Sequence, residues 1–266
     1  MRSIYLGLLA TCVASITPVS AVAADSEIRV SDAITAAVAA PTRTPTNLAR
    51  DAFRHPAETL AFFGVDPDET LLELYPGGGW YSEILGPLLR VSGTYYAAPP
   101  PGKSQDAFSA KVAADPARYG KVRIVSWPPA ADAIATGSLD TILTFRNVHN
   151  LVMNGTAERD FATFFALLKP GGTLGVVDHR LPEDRTAEAE KTSGYVKLSS
   201  VLKLAEAAGF VLEAQSEINA NPKDKADHPK GVWTLPPILA LGAQDREAYL
   251  AIGESDRMTL RFRKPR

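Results

Sequence analysis

The run Leu71-Leu-Glu73-Leu-Tyr75-Pro-Gly77-Gly78-Gly79-Trp-Tyr-Ser-Glu-Ile-Leu85 constrains the fold more than any other stretch of the chain. Three leucines, Leu71, Leu72 and Leu74, surround a single acid, Glu73, before the chain breaks at a proline and three glycines. Tyr81, Ile84, Leu85 and Leu88 follow at helix-face spacing. The pattern predicts a buried strand, a glycine turn and a helix. A turn of this kind lets backbone approach a ligand closely and turns free helix N–H groups toward it. The alternative reading of three consecutive glycines is a plain loop.

Strand and helix patterns then alternate. Further strands are expected at residues 94–98, 121–127, 140–145, 173–178, 210–218 and 258–263. Phe161, Phe164, Phe165 and Leu168, at i, i+3, i+4 and i+7, predict a helix over residues 156–169 that Pro170-Gly171-Gly172 stops. A weaker helix is expected over 103–114, and another from Ser199 or Ser200 to Ala208. A helix from Asn47 is divided by Pro56. Its segment Arg50-Asp51-Ala-Phe-Arg54-His55 has two readings. One is a solvated face with an Asp51–Arg54 pair; the other is a lid over the glycine turn that supplies polar contacts to a ligand. The sum is an α/β fold, an open, mostly parallel seven-stranded sheet with helices on both faces.

At the N-terminus, Arg2, an apolar stretch from Ile4 to Ile16 and the small-x-small triplet Ala21-Val-Ala23 predict a signal peptide over residues 1–23. The expected location is periplasmic or secreted, with no transmembrane segment in the mature chain. The one cysteine, Cys12, lies within that peptide, so no thiolate site is expected after cleavage. Residues 24–46, rich in Ala, Thr and Pro, read as a linker or arm. The remainder, 47–266, reads as one domain with a loop-rich insertion at about 219–255. A net charge of −2 gives no electrostatic case for nucleic acid, and a small-molecule substrate is the expected partner.

In sheets of this kind, ligands bind outside the carboxyl ends of the strands. Three exits share that rim: the glycine turn, Arg146-Asn147-Val148-His149, and Asp178-His179-Arg180. His149 and His179 are candidate general bases, because imidazole exchanges protons near neutral pH. Either ring has a simpler reading as a loop hydrogen-bonder. A metal held by His149, Asp178 and His179 would suit a hydrolase, but no metal-site spacing supports it. The chain has no phosphate-loop motif, no His-Glu-x-x-His helix and no Gly-x-Ser-x-Gly elbow.

Leu-Leu-Glu73-Leu-Tyr-Pro-Gly77-Gly-Gly79, Gly137-Ser-Leu-Asp140-Thr-Ile-Leu, Leu168-Lys-Pro-Gly-Gly-Thr-Leu and Ala207-Ala-Gly209-Phe210 occur in this order. In order and spacing they resemble the class I, seven-stranded S-adenosylmethionine-dependent methyltransferases. Arg54-His55-Pro56, Phe145-Arg-Asn147-Val-His149 and Asp178-His179-Arg180 resemble its exported bacterial branch, labelled predicted methyltransferases. The resemblance implies strand order 3-2-1-4-5-7-6 with the last strand antiparallel, and S-adenosyl-L-methionine as methyl donor. Its methionine part would lie over Gly77, Gly78 and Gly79, with Glu73 and Asn147 nearby. His149, then His179, would be the candidate base.

The chain departs from that family in three places. Tyr75 stands where the loop has its first glycine, Ala97-Ala98-Pro99 lacks the acid that holds the ribose, and Ser126-Trp127-Pro128 lacks the acid after strand three. Trp127 stacked on adenine is the expected substitute. The alternative function is a non-catalytic ligand-binding protein on a degenerate methyltransferase fold.

Overall fold

The structure, a computed structural model, describes residues 19–266, with side chains from residue 29 onward. The signal-peptide reading falls mostly on residues outside that range. Eight strands form one sheet: β1 (Thr70–Leu74), β2 (Thr94–Ala98), β3 (Arg123–Ile124), β4 (Leu139–Phe145), β5 (Leu168–Leu181), β6 (Val196–Lys197), β7 (Val211–Ser216) and β8 (Arg257–Arg263). Their order is β3-β2-β1-β4-β5-β8-β7, with the two-residue β6 paired to β5. β8 runs antiparallel to both neighbours, and the other pairings are parallel. The expected order holds once β6 is set aside. The expected count of seven is corrected to eight, because two residues carry no readable alternation.

The period-two alternation of β1 builds both halves of the core. Leu72 and Leu74 join Ile142, Leu174, Val176, Leu260 and Phe262 on one face, under Phe161 and Phe164 of the helix Ala157–Leu167. Leu71 joins Tyr95, Leu143 and Val177 on the other, under Leu60, Phe63, Ile84 and Leu85. Each such side chain contributes about 1.5–3 kcal/mol through burial. Gly175 permits the close approach of the second layer: a Cβ there would sit 2.9 Å from the Phe63 ring.

Residues 24–46 are not a loose arm. A helix runs over Val19–Val38, and its Ile34 and Ala37 are buried on the β1 face. The alanine content that reads as linker also carries the highest helix propensity. Arg43, buried, then anchors the following turn by donating to Asp51 Oδ2 at 2.5 Å and Oδ1 at 2.8 Å. Thr44 donates through its backbone N–H and its hydroxyl to Glu83. Among the described residues, no helix is long and apolar enough to cross a membrane.

Candidate active site at the strand exits

β1 ends at Leu74, and Tyr75 enters the turn in the left-handed region with φ 49°. Gly77 and Gly79 have φ 57° and 80°. At Gly77 the backbone angle, not space, demands glycine, since an added Cβ would meet nothing within 4 Å. Lys111 braces the turn from outside, donating to the Gly78 carbonyl at 2.9 Å. The helix Ser82–Leu88 follows.

Glu73 faces away from Leu72 and Leu74, toward the helix that follows the turn. Its carboxyl is buried and accepts from the Ser82 hydroxyl at 2.9 Å and from the Tyr95 hydroxyl of β2. Burial pushes it up to about 7, and the two donors only partly offset that rise. Asn147, at the β4 exit, donates to the carbonyls of Leu74 and Phe145 at 3.1 Å. One side-chain amide therefore ties the two exits together.

Between these exits lies a cavity of about 170 Å³. Glu73, Tyr75, Gly77, Gly78 and Asn147 line it together with Arg50, Arg54, Arg146, Trp80 and Tyr81. Four of the six candidate cofactor residues are therefore brought together. Gly79 lies behind the turn, against Phe108 and Lys111. Trp127 is elsewhere: its ring packs 5.1 Å from Phe164, and its Nε1 donates to Asp160 Oδ1 at 3.2 Å. Trp127 is thus a core residue with a satisfied indole and is not among the cavity's lining residues.

The expected Asp51–Arg54 pair does not form, and Arg50 and Arg54 border the same cavity as the glycine turn. Asp51 pairs with Arg43, while Arg54 turns inward to Glu254 at 3.0 Å. His55, with φ 40°, closes the short helix Asp51–Arg54 and begins the next, Pro56–Phe63. Glu254 also takes Arg50 at 2.7 Å and Arg257 at 3.1 Å. Burial works to raise Glu254, yet the guanidiniums prevail and hold it at about 2. Burial lowers Arg54 well below its ordinary range and Arg146 to about 10. The guanidiniums of Arg54 and Arg43 lie 4.7 Å and 5.3 Å from the Trp80 ring centre. Sequence reasoning missed Glu254 and Arg257, which carry no local motif; charge density at Arg50–Arg54 was the one available signal.

His149 and His179 meet at the β5 exit, with ring centres 5.0 Å apart and both side chains buried. Neither is among the residues lining the cavity. Asp178 Oδ1 accepts from His149 Nδ1 at 2.7 Å and from the His179 amide at 2.7 Å, while its Oδ2 accepts from the His149 amide at 3.1 Å. An ionised carboxylate can only accept, so His149 Nδ1 carries the proton and Nε2 is left as the basic atom. His179 Nδ1 lies 2.5 Å from the Ser255 hydroxyl. Burial, then the neighbouring His149 and arginines, pushes His179 well below its ordinary range. It is therefore neutral at pH 7 and a weak base. One ligand atom from each of His149, Asp178 and His179 falls within 4.8 Å of the others. Asp178 already accepts three N–H bonds there, two at Oδ1 and one at Oδ2.

No protein-family model matches the sequence, and no curated protein matches it significantly. Solved structures do. A SAM-dependent methyltransferase from Aquifex aeolicus superposes with a TM-score of 0.54 at 15% identity, covering 81% of this chain and 93% of that one. A geranyl diphosphate methyltransferase in complex with SAM gives 0.55 at 14%, covering 86% and 94%. The [4+2]-cyclase SpnF gives 0.54 at 17%, covering 90% and 96%. Two methyltransferases and a cyclase on one scaffold illustrate that fold alone does not fix a reaction. Strand order, antiparallel β8 and the glycine turn after β1 together give this chain the Rossmann-like fold of the class I SAM-dependent methyltransferases.

Proposed function

We propose that the protein transfers a methyl group from S-adenosyl-L-methionine to a small-molecule or envelope acceptor, in the periplasm or outside the cell. The observation that carries this reading is the cavity at the β1 and β4 exits, on a methyltransferase sheet, with Glu73 buried behind the glycine turn. The residues fit the methionine half of the cofactor. Gly77 and Gly78 offer backbone, Glu73 and the cavity arginines offer opposite charges for an ammonium and a carboxylate, and Trp80 and Tyr81 offer aromatic surface. They do not fit the nucleoside half in the usual way. β2 ends in Ala97 and Ala98 without an acid, and Trp127 is packed in the core. Each missing charged hydrogen bond removes about 1.5–3 kcal/mol of binding.

When bound, the cofactor supplies a methyl group on an electrophilic sulfonium. His149, oriented by Asp178, presents Nε2 as the base for an acceptor's proton. His179 is the second candidate. Incubation of the protein with methyl-labelled cofactor and envelope extract is expected to yield a labelled product, and His149→Ala is expected to abolish it. A folded protein that labels nothing across lipid, peptide and small-molecule fractions would contradict this reading.

A second reading, a non-catalytic ligand-binding protein on the same sheet, is favoured by the absent ribose acid and the buried Trp127. Methyl transfer that disappears in His149→Ala would exclude it.

A further inference from the structure

The cavity at the β1 and β4 exits holds more positive charge than its own carboxylates balance. Arg50, Arg54 and Arg146 line it, and Arg257 stands beside Arg54 and Arg146 in an adjoining crevice. Glu254 serves three of these four guanidiniums. The neighbouring acids are engaged: Asp51 by Arg43, Asp178 by His149 and two backbone amides, and Glu73 by Ser82 and Tyr95. Arg54 is only 6% exposed, and its Nη2, like that of Arg50, is buried without a hydrogen-bond partner. Arg146 is in no ion pair with another described residue.

Backbone strain gathers at the same place. Six non-glycine residues of the described chain have left-handed φ; Tyr75 and Arg146 line the cavity, and His55 directly follows Arg54. Such conformations persist where surrounding structure imposes them, and they cluster at ligand clamps. Arg54, stacked on Trp80, and Arg146, held by left-handed backbone and in no ion pair, border the cavity as a preorganised anion receptor.

We propose that this cavity binds the dianionic head of a small phosphate-class molecule, a phosphate or phosphonate group held by Arg50, Arg54 and Arg146. Planar guanidinium forks match tetrahedral oxyanions in bidentate geometry. Two negative charges bring the four arginines, Glu254 and Asp178 close to neutrality, whereas a single carboxylate leaves positive charge unpaired. The cavity, of about 170 Å³, has room for such a group. The proposal goes beyond methyl transfer and stands without it.

The test is titration of inorganic phosphate into the purified protein at about pH 8, where phosphate is mainly a dianion. Chloride and acetate at equal ionic strength are the controls; calorimetric heat and the thermal unfolding midpoint are read. Phosphate is expected to bind saturably and raise the midpoint, while the controls do neither. Arg146→Gln should weaken phosphate binding by about ten-fold or more. Its circular dichroism and phosphate-free midpoint should be retained, because Arg146 contributes no ion pair. Tighter binding of methyl phosphate than of inorganic phosphate would identify an ester as the ligand, and the reverse would identify free phosphate; both outcomes support the site. An equal response to acetate, or an Arg146→Gln protein that binds phosphate as the parent does, would overturn it. S-adenosylhomocysteine titrated in parallel separates the two readings. Phosphate binding alone keeps the anion site and counts against methyl transfer; cofactor binding alone does the reverse.

Discussion

Two buried polar clusters share the carboxyl-terminal rim of the sheet, and they are built on opposite principles. At the β5 exit, Asp178 spends its oxygens on His149 and on two backbone amides, and the cluster closes on itself. At the β1 and β4 exits, three arginines share Glu254, a fourth, Arg146, borders the open volume without an ion pair, and two guanidinium nitrogens are left without partners. The first cluster is what a sequence reader recognises as chemistry, because it holds histidines. The second has the unmet valences. Residue type identifies what a group can do; only the balance of donors, acceptors and space identifies where a ligand is needed.

The largest expected effect is on the second cluster. Glu254→Gln removes the acid from among four guanidiniums and is expected to cost about 3–5 kcal/mol in denaturant unfolding, since it strands buried charge. Phosphate should restore part of that loss if the arginines need an anion. A cost below about 1 kcal/mol would mean that the guanidiniums are solvated well enough to need no partner. Asp178→Asn comes next, at about 1.5–3 kcal/mol, the worth of charged hydrogen bonds lost where no buried guanidinium is stranded. A larger loss than for Glu254→Gln would reverse the contrast.

Glu254 and Glu73 should separate by pH. Glu254 is held at about 2, below its ordinary value of 4.5, so its stabilisation is present above about pH 4.5 and is lost as pH falls toward 2. Glu73 is raised to about 7, so the stability tied to its protonated form is present below about pH 4.5 and is lost as pH rises through 7. Glu73→Gln is therefore expected to flatten the decline in unfolding midpoint between about pH 4.5 and 7, while leaving the acid limb unchanged. The same slope over that interval in the parent and in Glu73→Gln would show that Glu73 ionises freely. The smallest effect belongs to Trp127→Phe, about 0.5–1.5 kcal/mol for one lost hydrogen bond to Asp160. Cofactor affinity should not change; a fall would return Trp127 to the adenine site.

Much of this architecture is legible in the sequence. The β1 strand, its glycine turn and the break at Pro56 all rest on local rules of periodicity, φ and the missing proline N–H, and such rules act within a few residues. The sheet order follows from the resemblance and from alternation along the strands. The cavity's electrostatics obeys no local rule. Arg54 and Glu254 are 200 positions apart, and each on its own is an ordinary surface-type residue. Trp127 misled for a related reason: the sequence places it beside the nucleoside position of the family, but its ring finds Phe164 and Asp160 on a helix more than thirty residues later. The N-terminal segment misled because alanine serves both linkers and helices, and the choice is made by what Ile34 and Ala37 find to pack on.

The central claim is that the ligand site lies at the β1 and β4 exits and takes the methionine half of the cofactor, with His149 acting on the acceptor and not on cofactor binding. Calorimetric titration of S-adenosylhomocysteine into the parent protein and into His149→Ala tests it directly. Saturable one-site binding of similar affinity in both, with methyl transfer lost only in the variant, is the predicted result. No heat at millimolar ligand from a folded sample would contradict it.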